Sequence, residues 1–355
     1  MIRQPGRKER VVAVLAALWI GLQSLAIATA ASASGAESTK DRLIFYVEDA
    51  LAASEFYSEM TALDSQIYRA ANWLADAAEA GQGEGEAMMH ARAVIDRAKK
   101  EMPKLRSRLS EFPINGPSFP PVFYWFSDWP KLQSAWLDQM VLRLEHLEAE
   151  SAAVDAQDWD RIWQIRAQRE EDLSAFQQFF IESDRKSLSK MPDDHPDRML
   201  SGFFNSLDPV QVLAAERLRA VDEIEVNRLT LEIIRMSQQS EQEMTRMIAE
   251  IDGVLQQHYW NLLPYAVVLT DDSNRGDQVA KAVVEQYRDT LDVLRRWVVH
   301  SRDLTDLEAK SLQVGWTVEL LQDYNAQALK MDDLRTEYAE GWRIRAALLA
   351  DAIAR

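Results

Sequence analysis

Cysteine is absent from the 355 residues of this chain. Disulfides, thiolate nucleophiles, thiolate metal ligands and a lipid-modified cysteine anchor are therefore excluded. The chain also has no Gly-x-Ser-x-Gly nucleophile motif, and no Lys-Ser/Thr follows the glycines at 81, 83 and 85 to make a phosphate-binding loop. No assembled catalytic motif remains, and we expect a protein that is not an enzyme.

Basic residues are too few to balance the acidic ones. The chain has 40 Lys and Arg against 57 Asp and Glu, which gives a net charge of −17. A nucleic-acid partner needs clustered Lys and Arg, and so does adhesion to anionic lipid. The acidity therefore argues against both and suits a soluble protein or one that docks on a cationic surface.

Histidine is also scarce, with five in the chain. None has a Glu three residues before or after it, so the Glu-x-x-His pairs of a di-iron bundle are missing. His146 with Glu150 and His300 with Asp303 share helix faces, but we interpret them as surface pairs. The densest group of potential ligands is Asp193, Asp194, His195 and Asp197. Its two prolines favour a solvated turn, and we expect neither a metal nor a cofactor.

The N-terminal segment has the order of a secretory signal peptide. Arg3, Arg7, Lys8 and Arg10 precede an uncharged stretch, Val11–Ala28, and two runs of small residues end it. This order predicts a signal peptide over 1–33, cleaved after Ala30 or Ala33, and export to a Gram-negative-type periplasm. The alternative is an uncleaved inner-membrane anchor over 11–31, and a membrane association is expected only in that case.

Apolar residues recur at helical spacing in the rest of the chain, and strand-like alternation is absent. The pattern predicts an all-α multi-helix bundle of about seven to nine helices. A first helix begins near Asp41 and ends at the glycines of 81–85. A second covers about 86–111, where Pro103 predicts a kink or a split.

Residues 131–154 and a helix capped by Asp158 predict an antiparallel hairpin. Residues 142–182 resemble the helical hairpins of bacterial flagellar export chaperones, through a run of Leu and Glu, an Asp-Trp pair at the turn and a Leu/Phe stripe. That resemblance implies a hairpin and nothing about function.

The C-terminal half predicts longer helices. Asp208-Pro209 is a helix-start signal, and one helix is expected from there to about 263, ended by Pro264. Two more are expected over about 277–300 and 303–352, the second with an interruption near 331–333 or Gly341.

Three local matches at nearly constant offset raise the hypothesis of two tandem diverged helical-bundle repeats. The predicted organisation is a signal peptide, an N-terminal helical unit over 34–182, a connector over 183–224 that includes the start of a long helix, and a C-terminal unit over 225–355. The last would be a copy of 41–182. The hypothesis requires Trp136 to superpose on Trp316, and Trp159 to lie near the place of Trp342. The alternative is that helical sequences rich in Trp, Leu and Glu produce such matches by chance.

The most distinctive local feature is a proline-rich aromatic linker over 113–130. Its large rings are those of Phe119, Phe123, Tyr124, Trp125, Phe126 and Trp129. Such residues can form a binding surface for a ligand or a protein partner, or they can be buried as a plug in the bundle. A second run, His258, Tyr259, Trp260 and Tyr265, would favour a ligand site if it converged with the first.

Two functions are compatible with these features. The first is a non-enzymatic scaffold or adaptor of the cell envelope that binds another protein. An exposed apolar groove or a projecting part of helix 209–263 would favour it. The second is a periplasmic small-molecule-binding or sensory bundle, with the site lined by the aromatics of 119–129. An enclosed pocket with a few polar groups would favour that one.

Overall fold

The protein is all-α in its computed structural model, which describes residues 39–79, 81, 85–112, 129–188, 191, 193–220 and 222–354. This confirms the predicted fold class. The helices are α1 (Thr39–Glu79), α2 (Glu86–Glu111), α3 (Trp129–Asp155), α4 (Trp159–Leu188), α5 (Pro196–Asn205), α6 (Asp208–Arg219), α7 (Glu223–Thr270), α8 (Ser273–Val314) and α9 (Val318–Ala354). The predicted signal peptide, 1–33, lies outside the described residues. No helix among those described is long and apolar enough to cross a membrane.

Local signals explain several helix ends. The Asp272 carboxylate accepts hydrogen bonds from the amides of Asn274 and Arg275 and so caps α8. Asp222 accepts from the amide of Ile224 at 2.8 Å and starts α7. Asp158 accepts from the amide of Arg161 at 3.0 Å at the start of α4. The predicted hairpin of α3 and α4 is present, with a turn of three residues between them.

The helices bury two hydrophobic clusters, which we call the N-terminal and C-terminal clusters. The N-terminal cluster is formed by α2, α3, the start of α4 and the part of α1 after Ala53. The C-terminal cluster is formed by α5, α7, α8, α9 and the first turns of α1, from Leu43 to Ala50. Helix α1 therefore belongs to both. Because one rigid element contributes to each core, the two halves of the chain are tied together by more than the connector.

Two predicted helix boundaries were wrong. Pro264, which was expected to end a helix, lies inside α7, and Pro103 lies inside α2, which covers the predicted range without a split. Each proline removes one backbone hydrogen bond, but buried neighbours such as Met102 and Leu262 hold the helix in its core. The helix expected over 209–263 is divided instead, since α6 ends at Arg219 and Asp222 caps a new helix that runs unbroken to Thr270.

The boundary expected between 300 and 303, and the interruption expected within the last helix, are not observed. Helix α8 continues to Val314, and α9 runs without interruption through 331–333 and Gly341. The chain reverses at Gly315, whose φ of +75° is accessible to glycine and strained for other residues.

The tryptophan equivalences required by the duplication are wrong. Trp136 lies inside α3 and packs edge-to-face against Tyr57, whereas Trp316 lies in the turn between α8 and α9. Trp159 is the exposed first residue of α4, while Trp342 is inside α9 against Tyr57. These two tryptophan matches therefore do not mark equivalent positions in the fold.

Candidate functional site

The aromatic residues predicted as a site fall mostly outside the described residues. Phe119, Phe123, Tyr124, Trp125 and Phe126 belong to 113–128, and Trp129 is the first residue of α3. Their role in binding stays a prediction.

The second aromatic run does not form one surface. His258 is buried, whereas Trp260 is exposed and the Tyr259 hydroxyl donates to Asp277. Consecutive helical residues point about 100° apart, so these rings face different surroundings.

The suspected half-sites for metals are engaged in other contacts. The His146 imidazole lies 2.8 Å from Asp172, and Glu150 accepts from Arg166 and Arg169. Asp193 pairs with Arg198. Within the part of the chain that the structure describes, no group of three or more His, Cys, Asp or Glu side chains is placed to hold a metal ion.

One end of the molecule exposes a set of apolar side chains, which we call the apolar end. Three helix termini contribute to it: the start of α7, the end of α8 and the start of α9. Its members are Ile224, Leu231, Val314, Trp316, Val318 and Leu321. Val318 is 67% exposed and Trp316 45%. Scattered exposed apolar residues are ordinary, but six at one end of a bundle form a feature that a solvated surface does not require.

The apolar end rests on a buried polar support. Arg217 of α6 donates to both carboxylate oxygens of Glu308 in α8, at 2.9 and 3.2 Å. The Tyr324 hydroxyl of α9 donates to the same carboxylate at 3.2 Å, and the Trp316 ring packs edge-to-face on Tyr324. Burial, and then the negative charge of Glu308, raise the pKa of Tyr324, so it stays a donor. Trp316 is thus positioned by contacts with a support that joins three helices.

The surroundings of the apolar end are acidic. Exposed carboxylates lie at Glu223, Asp306, Glu319 and Asp323, with an exposed cation at Lys310. Along α7, two further carboxylates are paired with arginines three residues on, Glu225 with Arg228 and Glu232 with Arg235. The local excess of negative charge matches the sign of the whole chain.

A second feature is a buried group of polar rings in the C-terminal cluster, which we call the imidazole cluster. It consists of His195, Asp197, His258, Tyr287 and Arg345. The His258 ring lies edge-to-face against His195 at 5.3 Å between centroids and against Tyr287 at 5.2 Å. The Arg345 guanidinium stacks over Tyr287 at 4.3 Å, and one of its nitrogens donates to the Thr290 hydroxyl at 2.8 Å.

This environment keeps His258 neutral. Burial, together with the nearby His195 and Arg345, lowers the pKa of His258 to about 3, against an opposing effect of Asp197. The pKa of Tyr287 is raised, first by burial and then by the charge of Asp197. His258 is thus a neutral imidazole enclosed by the rings of His195 and Tyr287.

Sequence reasoning did not find this cluster. Its members lie in α5, α7, α8 and α9, except His195, which immediately precedes α5. The two histidines are separated by 63 positions. Nothing in their spacing signals that they meet. His195 was interpreted as a solvated turn residue, but it is buried, and its Nδ1 accepts from the amide of Asp197 at the start of α5.

No protein-family model, curated protein or solved structure matches this chain. Function is therefore inferred from the apolar end and the imidazole cluster themselves.

Proposed function

We propose that the protein is an exported, non-enzymatic scaffold or adaptor of the cell envelope, and that it binds another protein through the apolar end. The exposure of Trp316 and Val318 beside a rigid buried support carries this proposal. Tryptophan is among the residues that contribute most at protein interfaces. A side chain that is already positioned loses less entropy when a partner covers it.

The charge around the apolar end defines the partner. A complementary surface presents apolar side chains flanked by Lys or Arg, opposite the carboxylates of Glu223, Glu319 and Asp323. A second copy of this chain fits poorly, because two acidic ends would repel each other. Anionic lipid is disfavoured for the same reason.

The experiment is site-specific photo-crosslinking in the native envelope, with a crosslinking amino acid at position 316. Position 260 is the matched control, because Trp260 has similar exposure, 42%, but lies away from the apolar end. We expect a protein captured from 316 and not from 260. The captured protein is then purified, and its affinity for the full chain is measured by titration calorimetry.

The affinity measurement decides between specific docking and adventitious capture. Trp316→Ala should weaken the affinity by roughly 30-fold or more, as for an interface residue worth about 2 kcal/mol. Its effect on the free energy of unfolding should stay within about 1.5 kcal/mol, the value of the edge-to-face contact with Tyr324 that it removes. Trp260→Ala should leave the affinity unchanged. Equal effects of the two variants, or a complex insensitive to salt, would contradict the proposal.

Export is tested separately by N-terminal sequencing of the protein from the periplasmic fraction. The proposal expects a chain that begins at Ala31 or Ser34. An intact Met1 in the membrane fraction would favour the anchored alternative over residues 11–31.

A further inference from the structure

The imidazole cluster connects a short helix to three long ones. Helix α5 has ten residues, and the two residues that bring it to the cluster are His195, its N-cap, and Asp197, in its first turn. The partners come from each long helix packed there: His258 from α7, Tyr287 from α8 and Arg345 from α9. The buried Tyr46 of α1 lies close to Asp197 and Tyr287, and after burial these two groups raise its pKa. Beyond these, Asp49 of α1 acts on Tyr46, and Tyr338 of α9 acts on Tyr287.

The cluster has little capacity for another positive charge. Protonated His258 would lie beside the Arg345 guanidinium and the His195 ring. Asp197 is the carboxylate at hand, and it already lies 3.5 Å from Arg345 and accepts from the Tyr287 hydroxyl. A buried cation without its own partner is strongly unfavourable.

We infer that the imidazole cluster is an acid-sensitive latch, which holds α5 on α7, α8 and α9 while His258 is neutral and releases α5 when His258 takes up a proton. This goes beyond the proposed function, because it describes how the fold responds to its surroundings, whatever the apolar end binds. Release is local: the hydrophobic side of α5 that would separate is formed by Leu200 and Phe203.

The direction of the pH response follows from the pKa of His258 in the closed and open states. In the closed state the pKa of His258 is about 3, and in the open state it returns to its ordinary value near 6.5. The closed state is therefore fully stable above pH 6.5, and its stability is lost progressively as the pH falls from 6.5 towards 3. Between pH 7 and pH 5 the ratio of open to closed molecules should rise by about 25-fold.

The test is hydrogen exchange of the full chain, read by mass spectrometry at pH 7, 6 and 5 and corrected for the intrinsic rates. Amides of α5 should lose protection by about 25-fold between pH 7 and 5. The variant His258→Phe keeps an aromatic edge against His195 and Tyr287 but cannot titrate, so its α5 amides should hold their protection. His90→Gln is the matched control, because His90 is an exposed histidine on α2, and it should behave like the unmodified chain.

A second measurement does not depend on a variant that folds. Nitrogen chemical shifts of the His258 ring in the unmodified protein should report a neutral imidazole at pH 6 in the closed state. Protonation of His258 near pH 6.5 with α5 still protected would overturn the inference. So would a loss of protection in His258→Phe equal to that of the unmodified chain.

Discussion

The two hydrophobic clusters bury polar groups of different kinds. In the N-terminal cluster the buried charges are carboxylates held by arginines. Asp64 of α1 accepts from Arg143 of α3 at 2.7 Å and pairs with Arg335 of α9 at 3.0 Å. Glu150 of α3, which is fully buried, accepts from Arg166 and Arg169 of α4. In the C-terminal cluster a neutral imidazole is buried beside an arginine, and the buried carboxylate of that half, Glu308, is held by Arg217 under the apolar end.

This difference sets how each half responds to acid. Burial alone would raise the pKa of Asp64, but Arg143 and Arg335 outweigh it, so the pKa is lowered below its ordinary value of 3.8. The Asp64 ion pairs therefore survive mild acid, while the imidazole cluster is already being titrated. Two cores that share α1 thus have separate thresholds, because Asp64 and His258 titrate in different ranges.

The largest effect is expected from removing a buried carboxylate. Glu150→Ala removes the fully buried carboxylate that the partly buried Arg166 and Arg169 contact, and we expect a loss of about 3–5 kcal/mol in the free energy of unfolding. Urea denaturation measures it. The control is Glu148→Ala, two residues earlier, which removes a half-exposed pair with Lys99 and should cost about 0–1 kcal/mol. Similar losses in the two variants would mean that the buried pairs do not distinguish the N-terminal cluster.

A smaller effect is expected at the close turn of the C-terminal cluster. A Cβ on Gly276 would meet backbone atoms of Val267 at 2.7 Å, so Gly276→Ala should destabilise by about 1–3 kcal/mol. Gly253 lies inside α7 with nothing within 4 Å of such a Cβ. Gly253→Ala should therefore stabilise the protein by about 0.5–1 kcal/mol. Thermal unfolding of both variants measures the contrast, and a stabilising Gly276→Ala would show that the turn can relax.

The most gradual effect is the pH dependence of the stability of the two clusters. Each pH unit below 6.5 should cost the closed imidazole cluster about 1.4 kcal/mol. Asp64 contributes stability above its unfolded pKa, and that contribution is lost only as the pH falls below about 3.8 and through the lower folded value. Amide exchange in α5 should therefore accelerate between pH 6.5 and 4.5 while α2 and α3 stay protected. If amide protection were lost in α5, α2 and α3 at the same pH, the two clusters would not have separate acid thresholds.

The fold class and the early helices were predictable because their signals are local. The glycines of 81–85, Asp158 and the apolar spacing each act within one or two turns of helix. Pro264 was wrongly expected to end a helix, and Pro103 does not split α2, because the cost of a proline is local whereas the burial that offsets it is tertiary. Trp136 and Trp316 show the same limit, since similar local sequences lie in a packed helix and in an exposed turn.

The sequence by itself determined that the chain is helical, acidic, free of cysteine chemistry and marked by a signal-like N-terminus. Hydrophobic periodicity depends on the order of residues and net charge on their number, so neither depends on which residues become neighbours in the fold. Only the tertiary structure decided that His195 and His258 meet beneath Arg345, that Glu150 is enclosed by two arginines, and that the apolar end remains exposed. Each of these depends on which helices become neighbours, and that is determined by packing over distances that local sequence does not encode.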